Sequence, residues 1–126
     1  MDQLLEGSVT PTLATAVGAS GAAVTLTIAS PGAGLRQYLT YLSINRFAAA
    51  VLTAAATPVT ITTTNLPGSL AFTFPADALT LGQMDRWRED FAYALAGSAQ
   101  GTALTIVCPA TTGVIWRVTA GYYVAP

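Results

Sequence analysis

Apolar and polar residues alternate along several short stretches of the chain, and this alternation predicts β-strands. Val24, Leu26 and Ile28 alternate with threonines, which is the period of two expected of a strand with one face in a core. Residues 38–45 are apolar enough on both faces to predict a central strand. Alternation divides this second strand into one face with Tyr38, Thr40, Leu42 and Ile44 and another with Leu39, Tyr41, Ser43 and Asn45.

Four further stretches also predict strands. Residues 58–64 are dense in β-branched side chains, whose restricted χ1 angles suit a pleated surface. Residues 69–74 follow after a turn sequence of Asn, Leu, Pro and Gly. Residues 103–107 and 114–120 again alternate, so the chain is predicted to form seven or eight short strands separated by glycine and proline turns.

Two segments leave their structure open on local pattern. Residues 47–56 are rich in alanine and fit a short helix or a loop. Residues 81–95 fit an apolar helical stripe or, over a shorter range, a strand. We favour a strand from about residue 89 to residue 95, because residues 97–101 resemble a hairpin loop that leads into the next strand.

The pattern as a whole predicts an all-β fold. The absence of a βαβ alternation favours a β-sandwich of jelly-roll or Greek-key type, with about seven to eight strands. Residues 1–22 are rich in Gly, Ser, Thr and Ala and show little periodicity, so we predict an extended N-terminal arm rather than a packed element. The predicted domains are therefore the arm over residues 1–22 and the sandwich over residues 23–126.

Charge is unusually scarce in this chain. Only 9% of the 126 residues are charged, there is no lysine or histidine, and the net charge is −1, whereas about 25% charged residues is ordinary. A polar but uncharged coat costs little to desolvate, so we expect neighbouring protein to cover much of it, as in a homo-oligomer. The five arginines are scattered along the sequence, so we predict no nucleic-acid partner.

Neither a secretory signal nor a membrane span is predicted. The first six residues are acidic, without the basic start and apolar run of a signal peptide. The longest apolar run, residues 47–52, is far shorter than the roughly 20 residues that cross a bilayer. We therefore expect a protein made in the host cytoplasm that does not enter a membrane.

Catalytic chemistry is not predicted. Without histidine, the candidate bases are carboxylates such as those of Asp77, Asp85, Glu89 and Asp90, and a glycosidase would need two of them facing each other across a cleft. No ligand set has a recognised metal spacing, so no metal, cofactor or catalytic residue is predicted. Cys108, the only cysteine, is expected to be a packed thiol.

One constellation stands out as a candidate contact surface. Residues 85–90 hold five of the eleven charges beside a tryptophan, and Arg and Trp dominate binding hot spots. The alternative is a solvated turn with local ion pairs of little net worth. Trp116 with Arg117 fits a sugar platform, but alternation with Val114 and Val118 favours core packing. The interface candidates are Arg86, Trp87, Arg88, Glu89, Tyr41, Tyr122 and Tyr123.

Several segments resemble small structural proteins of tailed-bacteriophage virions, of the capsid decoration, cement or head-fibre type. The similarity covers roughly residues 35–124 and omits the arm. It is carried by residues 35–40, 62–68, 72–77, 101–110 and 113–118. The resemblance implies a β-sandwich that decorates or cements a capsid or forms part of a head fibre, and it implies no catalytic residue.

Together these observations lead to a functional expectation. We expect a virion protein that self-associates, with a trimer favoured, contacts the major capsid protein or other virion proteins, and stabilises the shell. The alternative is a glycan- or receptor-binding module of a phage fibre that uses Tyr122 and Tyr123. A third class, a carboxylate-dependent hydrolase, predicts an activity that Asp85→Asn or Glu89→Gln abolishes.

Overall fold

The computed structural model describes residues 11–126, which form two antiparallel sheets of four strands each. One 3-10 turn, Pro67–Ser69, interrupts the strands. The strands are β1 Thr12–Val17, β2 Val24–Ile28, β3 Arg36–Ala48, β4 Val59–Thr64, β5 Phe72–Phe74, β6 Met84–Ala96, β7 Leu104–Cys108 and β8 Val114–Ala125.

The order of the strands is that of a jelly roll. One sheet has the order β1-β8-β3-β6 and the other β2-β7-β4-β5. All strands except β4 and β5 lie in the opposite sheet from their neighbours along the chain, so the two sheets are wound together as two Greek keys. The predicted all-β sandwich of jelly-roll type is confirmed. No helix in the described residues has the length and apolar character needed to cross a membrane.

The two open segments are resolved by the fold. Residues 81–95 contain no helix, and the favoured strand is longer than predicted because β6 already begins at Met84. Residues 47–56 are also not helical in the structure: β3 continues to Ala48, and a loop follows that is held by a bridge between Leu52 and Leu79. The alanines of this loop lie beside the short turn between β7 and β8, where Gly113 has a φ of 78°.

The predicted hairpin between the strands on either side of residues 97–101 is wrong. β6 lies at the edge of one sheet and β7 in the interior of the other, so the loop crosses between sheets. Backbone bonds tie this crossover to the opposite layer, since Ser98 N donates to Asn65 O and Gly101 N to Leu35 O, both at 2.9 Å. Loop composition indicates a turn but does not identify which strand the next one pairs with.

The predicted faces of β3 are also partly wrong, because the strand contains a bulge. Its register shifts between Leu39 and Tyr41 against both neighbours. Thr40 is the extra residue, and its hydroxyl donates to Gly121 O at 2.9 Å. Leu39 and Leu42 therefore both point into the core, whereas strict alternation would place them on opposite faces.

The boundary predicted at residue 22 does not coincide with the start of the sandwich. Thr12–Val17 is a strand, β1, paired along its whole length with β8. Its alternating exposure is weak because it is an edge strand built from Ala and Thr, so local pattern gave little signal. The remainder of the predicted arm before residue 11 lies outside the described residues.

The core lies between the sheets and is centred on Trp116. Its ring is fully buried, meets Phe74 of the other sheet edge-on at 6.2 Å, and its Nε1 donates to Pro109 O at 2.8 Å. The predicted core role of Trp116 is confirmed. Cys108 is also fully buried, as predicted.

Candidate functional site

The outer face of the β1-β8-β3-β6 sheet, which we call the arginine face, carries most of the cationic side chains. The register fixes its members because their neighbours along each strand point into the core. Across the strands they are Val17, Arg117, Asn45 and Arg86; Thr15, Thr119, Ser43 and Arg88; Leu13, Gly121, Tyr41 and Asp90; Ile115, Phe47 and Met84; and Tyr123, Tyr38 and Ala96, with Arg36 at one end.

Four of the five arginines of the chain share this face. Arg86 and Arg88 come from β6, Arg117 from β8 and Arg36 from β3. The fifth, Arg46, points inward and is 3% exposed. With Asp90 as the one carboxylate on the face, the four guanidiniums leave it a net charge of +3, although the chain as a whole carries −1.

Arg88 is held at the centre of this face by three neighbours. Its guanidinium lies 4.5 Å from the centre of the Tyr41 ring and pairs with Asp90 at 3.1 Å. The Tyr41 ring in turn lies over Gly121, where a Cβ would overlap it. The hydrogen bond from Arg88 lowers the pKa of Asp90, and the same bond raises the pKa of Arg88. Both charges therefore persist at mildly acidic pH.

Exposed apolar side chains accompany the arginines. Leu13 is 63% and Val17 56% exposed on β1, and Met84 is 50% exposed beside Phe47 at the other edge. At the end near Arg36, Tyr38 and Tyr123 stack in parallel with ring centres 5.0 Å apart. The face is thus a mixture of cationic, aromatic and aliphatic groups rather than a purely polar surface.

The outer face of the β2-β7-β4-β5 sheet, which we call the threonine face, has the opposite character. Its strands contain no charged residue at all. Alternation points one set of side chains into the core and the other outward. The outward set is Thr25, Thr27, Thr60, Thr62, Thr64, Thr73, Thr105 and Val107.

Hydroxyl groups of the threonine face already bond within it. The Oγ1 atoms of Thr64 and Thr105 lie 2.6 Å apart, and Thr105 N donates to Thr64 Oγ1 at 3.2 Å. Hydroxyls that keep such partners lose little when water is removed, because their hydrogen bonds survive.

The structure brings together some of the predicted interface residues and separates others. Arg86, Arg88, Tyr41 and Tyr123 lie on the arginine face. Three do not: Trp87 turns inward, Glu89 lies at the edge of β6 opposite the inward Leu42, and Tyr122 packs against the core. Alternation within β6 explains the separation, because consecutive residues of a strand point to opposite sides.

Trp87 lies in a cleft at the open edge of the sandwich. Its ring packs against Phe72 with centres 5.2 Å apart, and the cleft, about 240 Å³, is lined by Ile44, Phe74, Pro75, Asp77, Asp85, Arg86 and Trp87. Behind it, Arg46 Nη2 donates to Asp85 Oδ2 at 2.6 Å and to Asp77 O at 2.7 Å. Asp85 therefore neutralises a buried cation.

Sequence reasoning missed Arg36 and Arg117 as members of the surface. Arg117 follows the inward Trp116 on β8, so alternation alone indicates that it points outward. Its place beside Asn45 and Arg86 depends on β8 pairing with β3, which joins residues more than seventy positions apart. No local signal in the chain indicates that pairing.

The described residues form no group of three or more Cys, Asp or Glu placed to hold a metal ion. Burial raises the pKa of the Cys108 thiol to about 12. A thiol with such a pKa is protonated and a poor nucleophile at neutral pH. No protein-family model matches the chain, and no curated protein matches its sequence.

Proposed function

We propose that this chain is a non-enzymatic structural protein of a phage virion, which decorates the capsid, self-associates and stabilises the shell. The observation that carries the proposal is the threonine face, an entire sheet surface without a charged side chain. The jelly-roll strand order and the resemblance of residues 35–124 to phage virion proteins support it.

The threonine face is suited to contact between copies of the chain. Desolvating it separates no ion from water, and the bonded Thr64 and Thr105 hydroxyls keep their partner. The arginine face is unsuited to meet its own copy, because arginines would then oppose arginines across a symmetric contact. We therefore assign self-association, with a trimer favoured, to the threonine face.

The size of the threonine face limits what it does alone. Four strands about 4.8 Å apart and about five residues long span roughly 300 Å², against about 800 Å² per partner in a stable interface. Copies in solution therefore associate weakly through this face. A shell that holds copies side by side raises their effective concentration, so the contacts form there.

Stabilisation of the shell then follows from linkage. A protein that binds the assembled shell and not its dissociated subunits shifts the equilibrium toward the shell, by about 2.7 kcal/mol per site at a hundredfold excess over Kd. No bond is made or broken in this mechanism. The domain acts by adding buried contact area at junctions between shell subunits.

Thermal melting of shells tests the proposal. Shells assembled from the coat protein of the phage that encodes this chain, and lacking the chain, are melted with and without added protein. We expect saturable binding and a higher Tm in its presence. Shells that bind none of the protein, or that melt at the same temperature when saturated with it, contradict the proposal.

The alternative, glycan recognition by Tyr122 and Tyr123, has less support. A sugar platform needs an open ring face, whereas Tyr123 is stacked on Tyr38 and Tyr122 packs against the core. A glycan array with Tyr122→Ala as control separates the two functions. Specific sugar binding that this variant loses would favour the fibre module over the decoration protein.

A further inference from the structure

The distribution of charge over the two faces identifies a second contact. We propose that the arginine face docks on an acidic protein surface, and, resting on the proposed function, that this surface belongs to the shell subunit. The one-sided placement of the guanidiniums carries the inference. Four of them share the face with a single carboxylate, while Asp77 and Asp85 lie at the cleft and Glu89 at the edge of β6.

Arg88 is already held in one position before any partner arrives. The Tyr41 ring beneath it and the Asp90 carboxylate beside it fix the guanidinium, and Gly121 leaves room for that ring. A side chain that is ordered in the free protein loses little conformational entropy on binding. Arg88 is therefore a preorganised anchor at the middle of the face.

Two neighbouring guanidiniums are open for new bonds. Arg117 pairs with no carboxylate of the described chain, and Arg86 makes one hydrogen bond, from Nε to Asn45 Oδ1 at 3.3 Å. Their Nη atoms are free to bind carboxylates, which a guanidinium does in two-pronged pairs. The face therefore has the donors needed to hold two or more acidic side chains.

The surrounding side chains favour a protein partner over a polyanion. Leu13, Val17, Phe47 and Met84 lie exposed among the arginines, and protein interfaces are enriched in aromatic residues, Met and Arg. Tight binding to nucleic acid rests on roughly six to ten phosphate contacts, whereas this face offers four cations. Exposed aliphatic groups gain nothing from a phosphate backbone, but they gain area against another protein.

Binding measurements on charge variants test this docking surface. The probes are shells lacking the chain, poly-L-glutamate and a DNA duplex, each titrated at low and at raised ionic strength. We expect Arg117→Gln to weaken shell binding roughly tenfold and to reduce its salt dependence. Arg117→Lys, which keeps the charge but not the fork of donors, should fall between the two.

The matched control is Gln100→Glu. It alters net charge by the same amount as Arg117→Gln, but at an exposed loop position away from both faces, and we expect unchanged shell binding. If Arg117→Gln and the Arg86→Gln/Arg117→Gln double variant bind shells as tightly as the parent, the inference is overturned and the decoration role stands. Duplex binding tighter than poly-L-glutamate binding also overturns it, in favour of nucleic acid.

The two proposals fail in distinguishable ways. If the parent protein does not bind shells, the decoration role fails, and the poly-L-glutamate titration then decides the docking surface. Binding to poly-L-glutamate that Arg117→Gln weakens and Gln100→Glu preserves supports docking on an acidic protein other than the shell. Absence of binding to shells and to poly-L-glutamate rejects both.

Discussion

The threonine face and the arginine face are built on the same scaffold and differ in nearly every surface property. Each is the outer side of a four-stranded antiparallel sheet. One presents hydroxyl and methyl groups without a charge, and the other presents four guanidiniums among exposed aliphatic and aromatic groups. A surface that loses little on desolvation suits contact between identical copies, and a charged surface selects a partner of opposite sign.

The difference also shows how a jelly roll keeps two surfaces separate. Neighbouring strands along the chain lie in opposite sheets, except for β4 and β5, so charge-bearing strands alternate in sequence with uncharged ones. Every charged residue within the described strands lies on β3, β6 or β8. Winding the chain collects these strands on one side, and in this way arginines that are scattered in the sequence form one face.

The largest effect is expected from removing what both faces share. Trp116 belongs to the sheet of the arginine face and packs on Phe74 of the other sheet. Because its ring is fully buried, Trp116→Ala should lower the free energy of unfolding by about 3–5 kcal/mol. Denaturant unfolding, followed by circular dichroism, measures this loss.

Trp87→Ala is the matched control, since it deletes the same side chain from a half-buried position at the edge of the sandwich. We expect a clearly smaller loss. Equal losses in the two variants would mean that Trp116 does not join the sheets as described, and that the two faces are not held by a common core.

A charge placed on the threonine face should break the contrast between the surfaces. Thr62 points outward opposite Val107, and Thr62→Arg places an unpaired cation where we propose that copies meet. Burying such a charge costs about 3 kcal/mol, so association between shell-bound copies should weaken by about 100-fold. The readout is the cooperativity of binding isotherms on shells, together with chemical crosslinking of bound copies.

Thr62→Val provides the comparison, because it keeps the shape and adds no charge. This variant should bind as cooperatively as the parent. Both side chains are exposed in the isolated domain, so folding stability should change by less than about 0.5 kcal/mol in either. Cooperative binding that survives Thr62→Arg would remove the threonine face from the contact.

A smaller effect should sharpen the arginine face. Asp90→Asn removes the one carboxylate there, raises the net charge of the face from +3 to +4 and releases Arg88 from its ion pair. Binding to poly-L-glutamate should tighten about twofold to threefold, the scale of an exposed pair. Asp77→Asn makes the same change in charge at the cleft and should leave binding unaltered. Weaker binding by Asp90→Asn would show that Asp90 acts mainly by positioning Arg88.

Local alternation predicted the strands well and their partners poorly. The residues of β2 and β4 and the inward side of β8 follow strict periods of two, and these strands lie where the pattern indicates. The hairpin after residue 96 failed because pairing in a jelly roll joins strands that are distant in sequence. The faces of β3 failed at one residue, because the bulge at Thr40 leaves no trace in the hydrophobic pattern.

The candidate surface was predicted only in part for the same reason. Arg86 and Arg88 were found because they stand in a local cluster of charges. Trp87 and Glu89 were grouped with them by proximity in sequence, although a strand directs neighbouring residues to opposite sides. Arg117 joins the surface through pairing between β8 and β3, and β1 joins the same sheet despite its weak pattern.

The single thiol in the interior gives the domain a built-in reporter of its own opening. Cys108 is sealed among core side chains, and its pKa of about 12 keeps it protonated when folded, whereas in the unfolded chain a thiol ionises near 8.5. The unfolded state therefore releases a proton first, and stability declines as pH rises above about 8.5. Reagents that modify thiolates can reach this sulfur only in molecules that have opened, so the labelling rate measures how often the two sheets part.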